Sequence, residues 1–430
     1  MTPDGTGRYR YKNGTDRFHL ERKRTPPVKY VEEKDAHRAH RLPAGVFVLA
    51  LGVFVIGTGE FVLAGLIPLF AADFALNYST AGQVVTVFAL TCALAAPILT
   101  TVTAKWPRKR VLVTAGLAYL VGAVATALAP TFGFLLAGQI VAAVGTGLFI
   151  PNASVTAADL VSKDAGGRAI AAVVTGFTLA VAFGAPAGTA IGALYGWRIT
   201  MWLAAGVAVL GVIGVAILIP HSVGSTDTSG LRQRLAPLRD RRVLALLATT
   251  LVAFTAVYIP YTYIGAIFDP ATSGDGLRLG LLMTTLGVTG AIGNLAAGRL
   301  VDRYGGSLVV LVALLWLILS FAMIAFTQTV YAWSLIAIGF YGIAAFAITT
   351  PQQHRLISHD PDRAPVVLSL NQAVLYLAIG TSGLVGAAGI EGVGADHVIW
   401  IAAALALLAI ALSAFGRPQK QRAGSSHTRP

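Results

Sequence analysis

The 430-residue chain is short of charge: Asp, Glu, Lys and Arg together make up 12% of it, against about 25% in ordinary soluble domains. With 56% apolar residues and a mean hydropathy of +0.72, it lacks the polar side chains that a water-facing surface of this size requires. This shortage excludes a soluble enzyme, a fibrous protein and a disordered chain. Cysteine is nearly absent. Cys92 is the single one, so no internal disulfide can form, and its place in the apolar stretch Val84–Ile98 reads as a small buried hydrophobe. No Cys/His cluster has metal-ligand spacing, and His221, His354, His359 and His397 fall at or beyond the ends of apolar runs. No metal is therefore expected. A Gly-Lys-Ser/Thr phosphate loop is also missing, which excludes direct drive by ATP and leaves no cofactor to expect.

What is present is long apolar runs, where an outer-membrane β-barrel would show short alternating segments. Twelve runs are long enough to cross a bilayer as helices: 44–69, 81–103, 111–129, 133–158, 169–194, 199–219, 243–267, 279–300, 307–327, 331–353, 364–390 and 396–416. The expected fold is an all-α polytopic membrane protein with the lipid bilayer as its main partner. The bases sort by side. Thirty of the 32 Lys and Arg fall in the first tail, in the even-numbered connections or in the last tail; only Arg198 and Arg278 fall on the other side. The positive-inside rule then puts both chain ends in the cytoplasm of an inner-membrane protein. A wrongly split or fused run would break the alternation, so it also supports the number twelve. The formal net charge of +13 is thus a topology signal, and no nucleic-acid partner is expected.

Five segments follow: a basic cytoplasmic tail at 1–43, six helices over 44–219, a loop at 220–242, six helices over 243–416 and a tail at 417–430. The first tail carries six acids against eleven bases and has no helical apolar period. It reads as solvated and disordered, or as an anionic-lipid contact through Arg22-Lys23-Arg24. The loop after the second run, Ala104-Lys105-Trp106-Pro107-Arg108-Lys109-Arg110, has a basic counterpart about 198 residues later in Asp302-Arg303-Tyr304-Gly305-Gly306. Equal spacing of like features implies an internal duplication and two pseudo-symmetric six-helix bundles, with a site between them near the midplane.

Four segments resemble the major facilitator superfamily, in particular its twelve-helix drug/proton antiporter branch and the arabinose-efflux-permease and chloramphenicol-exporter group within it. They are Gly59-Glu60-Phe61-Val62-Leu63-Ala64-Gly65-Leu66-Ile67-Pro68 with Asp73; Gly184-Ala185-Pro186-Ala187-Gly188-Thr189 with Gly192 and Gly196-Trp197-Arg198; Gly298-Arg299-Leu300-Val301-Asp302-Arg303-Tyr304-Gly305; and Ser369-Leu370-Asn371-Gln372. The resemblance spans roughly 44–416 and implies a transporter, not an enzyme, that exchanges a small molecule for protons, with no oligomeric partner expected. Two positions depart from the pattern. In the first-half loop the acid and the glycine of the motif fall on Ala104 and Pro107. In the fourth span, Gln139 stands where many antiporters carry arginine.

Glu60 is the one acid of 19 placed well inside an apolar run. A charge there costs at least about 2.5–3.5 kcal/mol on insertion scales. Withdrawal from water favours the protonated carboxyl, so Glu60 reads as a proton-coupling group, or else as a structural glutamate capped by Thr58. In the fifth span Gly176, Ala180, Gly184, Gly188, Gly192 and Gly196 recur every four residues and share one face, with Pro186 kinking the helix. That face packs tightly against a neighbour; the resemblance further implies that it seals one bundle against the other. Arg299, Asp302 and Arg303 read as a solvated turn, or, following the resemblance, as a cytoplasmic gate. Polar and aromatic residues inside the runs are the candidates for lining a cavity: Gln83, Thr86, Gln139, Asn152, Tyr258, Tyr261, Tyr263, Asn294, Tyr341, Asn371 and Tyr376. Such a lining, apolar and aromatic with one carboxylate, suits lipophilic or weakly polar small molecules. Export of such compounds in exchange for protons is the expected function. An uncoupled facilitator or importer of a sugar or other metabolite is the alternative in the same fold, and a membrane sensor acting through the first tail is the alternative outside it.

Overall fold

The computed structural model describes residues 42–220 and 235–415; most of the two expected tails and of the central loop lies outside them. Among the described residues, twelve helices are long and apolar enough to span a bilayer. The first six are α1 (Ala44–Asp73), α2 (Tyr78–Val102), α3 (Arg108–Ala127), α4 (Phe132–Asp159), α5 (Gly166–Tyr195) and α6 (Trp197–Leu218). The second six are α7 (Arg241–Thr262), α8 (Gly276–Tyr304), α9 (Gly306–Thr327), α10 (Tyr331–His359), α11 (Pro361–Val393) and α12 (Val398–Phe415). The fold is all-α and polytopic, as expected.

Local chemistry sets the ends. Side chains of Asn77, Thr131, Asp240 and Asp275 accept hydrogen bonds from backbone N–H groups in the first turns that follow them. These bonds satisfy donors that a helix leaves orphaned at its start. The α5–α6 and α11–α12 turns each hinge on a glycine with positive φ, Gly196 at 89° and Gly394 at 87°, a conformation only glycine adopts without strain. Most ends shift by up to four residues from expectation, and two boundaries differ by more. Helix α7 ends at Thr262 and is followed by short helices at Ile264–Ile267 and Asp269–Thr272. Helix α10 continues through the polar stretch Thr349–His359, which apolarity alone cuts off near 353.

Inside the membrane, helices are held by close packing rather than by expulsion of water, so small residues mark the contacts. A Cβ on Gly122 would stand 2.3 Å from the Ala142 backbone nitrogen, and one on Gly293 would stand 2.3 Å from the Ile343 carbonyl oxygen. These glycines let α3 meet α4 and α8 meet α10. Within the first six helices the main pairings are α1–α5, α1–α6, α2–α4, α3–α4 and α3–α6; the same pairings recur six helices on as α7–α11, α7–α12, α8–α10, α9–α10 and α9–α12. The principal contacts between the halves, α2–α11 and α5–α8, exchange under the same shift of six. The repeat is therefore visible in packing as well as in loop spacing.

Candidate functional site

Glu60 lies 16 residues from the start of α1 and 13 from its end, at mid-depth along a helix that rises about 1.5 Å per residue. Only 8% of its surface is exposed. Its partner comes from the other half of the molecule: Tyr376 of α11 donates its hydroxyl to Glu60 Oε2 at 3.2 Å. Thr58 does not cap it. The Thr58 hydroxyl faces Gly184 of α5 and has no hydrogen-bond partner among the described residues.

Around this pair the sequence brings aromatic rings together. Tyr119, Tyr258, Tyr261 and Tyr376 all lie within electrostatic reach of the Glu60 carboxyl. Phe61 meets Phe177 of α5 edge-on at 5.4 Å and Tyr261 of α7 edge-on at 5.7 Å; Tyr261 meets Tyr258 at 5.8 Å. The Tyr261 hydroxyl donates to the Phe61 carbonyl at 3.1 Å, a second polar link between the halves. Tyr341 backs the group by donating a hydrogen bond to the Val257 carbonyl. An unpaired polar group at this depth would be costly, so each hydroxyl that finds a carbonyl or carboxylate fixes a ring in place.

The remaining candidates disperse. Gln83 donates to the Ser79 carbonyl one turn back, and Thr86 packs against Gly383 of α11 with its hydroxyl unpartnered. Gln139 donates to Thr126 at 3.1 Å and so ties α4 to α3. Asn152 accepts from Arg108 at the Arg-rich end of α3, and Arg108 also reaches Asp159 at 3.9 Å. Asn294 accepts from Thr350, and Asn371 accepts from Thr250. Tyr263 donates to the Gly383 carbonyl at 2.7 Å. Arg299, Asp302 and Arg303 are exposed; Arg303 stacks on Tyr304, and Asp302 has no ion-pair partner among the described residues. Tyr119 and Phe177 are additions from the structure; a ring at mid-span was the only signal either gave.

The small-residue face of α5 does not seal the two halves. Cβ atoms on Gly184, Gly188 and Gly192 would strike Thr58, Val62 and Leu66, all of α1 in the same half. The adjoining face, with Val181, Ala182, Pro186, Ala190 and Ala193, is the one that meets α8, where Gly276, Gly280 and Gly287 admit it. The stripe is a packing face against α1, and spacing alone cannot say which neighbour such a face meets. A π-helical turn over Ala180–Gly184, just before Pro186, lets α5 present one face to α1 and the other to α8.

Among the described residues, the hydrogen bonds between the halves share one trend in depth. Ser79 to the Ala387 carbonyl, Thr189 to the Met283 sulfur, Tyr261 to the Phe61 carbonyl and Tyr376 to Glu60 all lie at or beyond the level of Glu60, on the side away from the Arg-rich helix ends. The close glycine approaches of α8 to α5 and of α11 to α2 fall in the same region.

The model of the Major Facilitator Superfamily matches residues 49–379, with a second match over 266–430. The chain belongs to this superfamily. It is 29% identical over 385 residues to the uncharacterized transporter YtbD of Bacillus subtilis, covering 89% of this chain and 97% of that one. It is 31% identical over 266 residues to a chloramphenicol resistance protein of Streptomyces lividans, covering 61% of this chain and 68% of that one. Its fold is similar to the crystal structure of the nucleoside transporter NupG, at a TM-score of 0.70 and 13% identity, with 87% and 100% of the chains covered. This superfamily member is a multi-pass secondary transporter of small solutes, not an enzyme.

Proposed function

We propose that this transporter exports small apolar or amphipathic compounds in exchange for protons, and that it belongs to the drug/proton antiporter branch of its superfamily. One observation carries the reading: a single carboxyl at mid-depth, Glu60, is bonded to the opposite half of the molecule through Tyr376. Proton uptake at Glu60 changes both the charge at the centre of the membrane and the acceptor that Tyr376 addresses. An event at one atom thereby biases how the halves sit against each other, which is what alternating access requires.

The Arg-rich helix ends face the cytoplasm in this reading, along with both ends of the chain. The Ser79–Ala387 and Thr189–Met283 bonds then lie on the outer side of Glu60, which supports a state with its outer gate shut. The α5–α8 seam is the outer closure. The Arg299-Asp302-Arg303 turn is the matching inner gate, and its exposed Asp302 is the part that finds a partner when the inner side closes. The tyrosine- and phenylalanine-rich surroundings of Glu60 suit lipophilic cargo, and the similarity to a chloramphenicol resistance protein supports the same class.

The test is substrate-driven proton movement in proteoliposomes over a chemically diverse panel. Proton release on adding a lipophilic compound supports the reading. Counterflow of a sugar that ignores the pH gradient, the behaviour favoured by Gln139 and by Ala104 in the first loop, would replace it with an uncoupled facilitator.

A further inference from the structure

A cavity of about 560 Å³ opens at the Arg-rich end of the second six helices, away from Glu60. It lies between the start of α7, the α8–α9 turn and the end of α10. Arg242, His354, Arg355 and His359 bring basic groups to its wall, Ser307 and Ser358 bring hydroxyls, and no acid among the described residues lines it. The wall is hydrogen-bonded together on its inner side. Arg355, 6% exposed, donates to the Ser413 hydroxyl and carbonyl at 2.9 Å each and to Gln352 at 3.1 Å, which pins α10 to α12. Gln352 in turn donates to the Leu246 carbonyl of α7 at 2.7 Å. His359 is held by Asp240 at 2.8 Å. Arg242 is half-buried at the mouth, and His354 is exposed there with its Nδ1 3.4 Å from the Ser358 hydroxyl.

The surroundings of the mouth are apolar. From Leu308, which lines the cavity, an exposed stripe descends α9 through Val312, Leu315 and Leu319. These residues follow helical spacing and share one lipid-facing side. A basic, hydroxyl-bearing cavity at the level of the helix ends, continued by an apolar track along one helix, has the two-part chemistry of a phospholipid.

We infer that this cavity holds the phosphoryl headgroup of an anionic phospholipid, with an acyl chain lying along the Leu308–Leu319 stripe. Arg242 and His354 face the phosphate, and Ser307 bonds a phosphate oxygen. The bound lipid braces the α8–α9 turn against α7 and α10. This inference is independent of the proposed proton coupling and of the cargo.

The experiment uses the full chain, purified in mild detergent and exposed to phosphatidylglycerol or phosphatidylcholine, with retained lipid counted by native mass spectrometry. Wild type is expected to retain phosphatidylglycerol in preference to phosphatidylcholine. Arg242→Gln should weaken that retention about fivefold, the effect of one basic side chain near an anionic headgroup. Ser307→Asp is the second variant: an acid in the first turn of α9 favours the helix, so the protein stays folded while the cavity repels phosphate. Its retention should fall at least as far. Equal retention of the two lipids by wild type, or unchanged retention in Ser307→Asp, overturns the inference. So does displacement of the lipid by millimolar inorganic phosphate, which would mark the cavity as a site for a free ion.

Discussion

Tyr376 and Glu60, 316 residues apart in the chain, meet at 3.2 Å in the middle of the membrane span, the tyrosine donating and the carboxylate accepting. One partner belongs to the first six helices and the other to the second six. The bond therefore joins the two halves, and both side chains are buried.

Tyr376→Phe removes the donor and leaves the ring. Loss of a buried hydrogen bond to an ionisable group costs about 1–3 kcal/mol, so gradient-driven transport should fall by roughly tenfold with little change in expression. Transport initial rates in vesicles, normalised to protein, provide the check. A wild-type rate would mean that the bond is incidental.

The α5–α8 closure is open to a cross-link. A Cβ built on Gly280 stands 3.6 Å from the Ala190 Cβ, within the range of a natural disulfide. The Ala190→Cys, Gly280→Cys double variant should oxidise readily, cease transport and recover on reduction. Cys92 is buried against the Ala143 carbonyl in α4 and offers no competing partner. Undiminished transport by the oxidised protein would contradict closure at this seam.

Glycine substitutions should separate packing from propensity. Gly176→Ala drives a methyl to 2.3 Å from the Ala50 carbonyl oxygen, so α5 must move off α1. Overpacking of this kind costs about 1–3 kcal/mol, visible as a lowered midpoint of thermal unfolding in detergent. Gly206→Ala, in α6 with nothing within 4 Å, should instead gain about 0.5–1 kcal/mol from helix propensity.

Much of this arrangement is legible in the sequence, and the remainder is not for a physical reason. Apolarity and the placement of Lys and Arg locate the spans because the bilayer acts on each helix separately. Glu60 stands out because a carboxyl at mid-span is costly wherever its partners lie. Partners are another matter. Gln139 and Glu60 are both polar residues inside runs, yet one ties neighbouring α3 and α4 while the other reaches across to α11. The four-residue stripe of α5 announced a close contact without saying whether α1 or α8 made it. The polar tail of α10 was cut short because Thr349–His359 is stabilised by α7 and α12 through Gln352 and Arg355, not by apolar lipid.

The hydrogen bond between Asp240 and His359 at 2.8 Å sets a pH dependence outside the spans. The hydrogen bond from His359, helped by the Arg242 backbone N–H, holds the Asp240 carboxyl below the ordinary value of 3.8. A lowered carboxyl favours the folded state while it is ionised, so its contribution is present above about pH 4 and is lost as pH falls through the lowered value. Asp240→Asn should therefore lower the unfolding midpoint slightly at neutral pH, and the gap from wild type should close in stronger acid. Partial exposure keeps the effect small. A gap that persists undiminished well below the ordinary carboxyl range would refute the assignment.

Proton coupling at Glu60 is most directly tested by Glu60→Gln in everted membrane vesicles energised with a proton gradient. Glutamine keeps the size and an acceptor for Tyr376 but cannot release a proton. Uptake driven by the gradient should be lost, while exchange of labelled for unlabelled substrate down its own gradient survives. Gradient-driven uptake at the wild-type rate would remove Glu60 from the coupling mechanism.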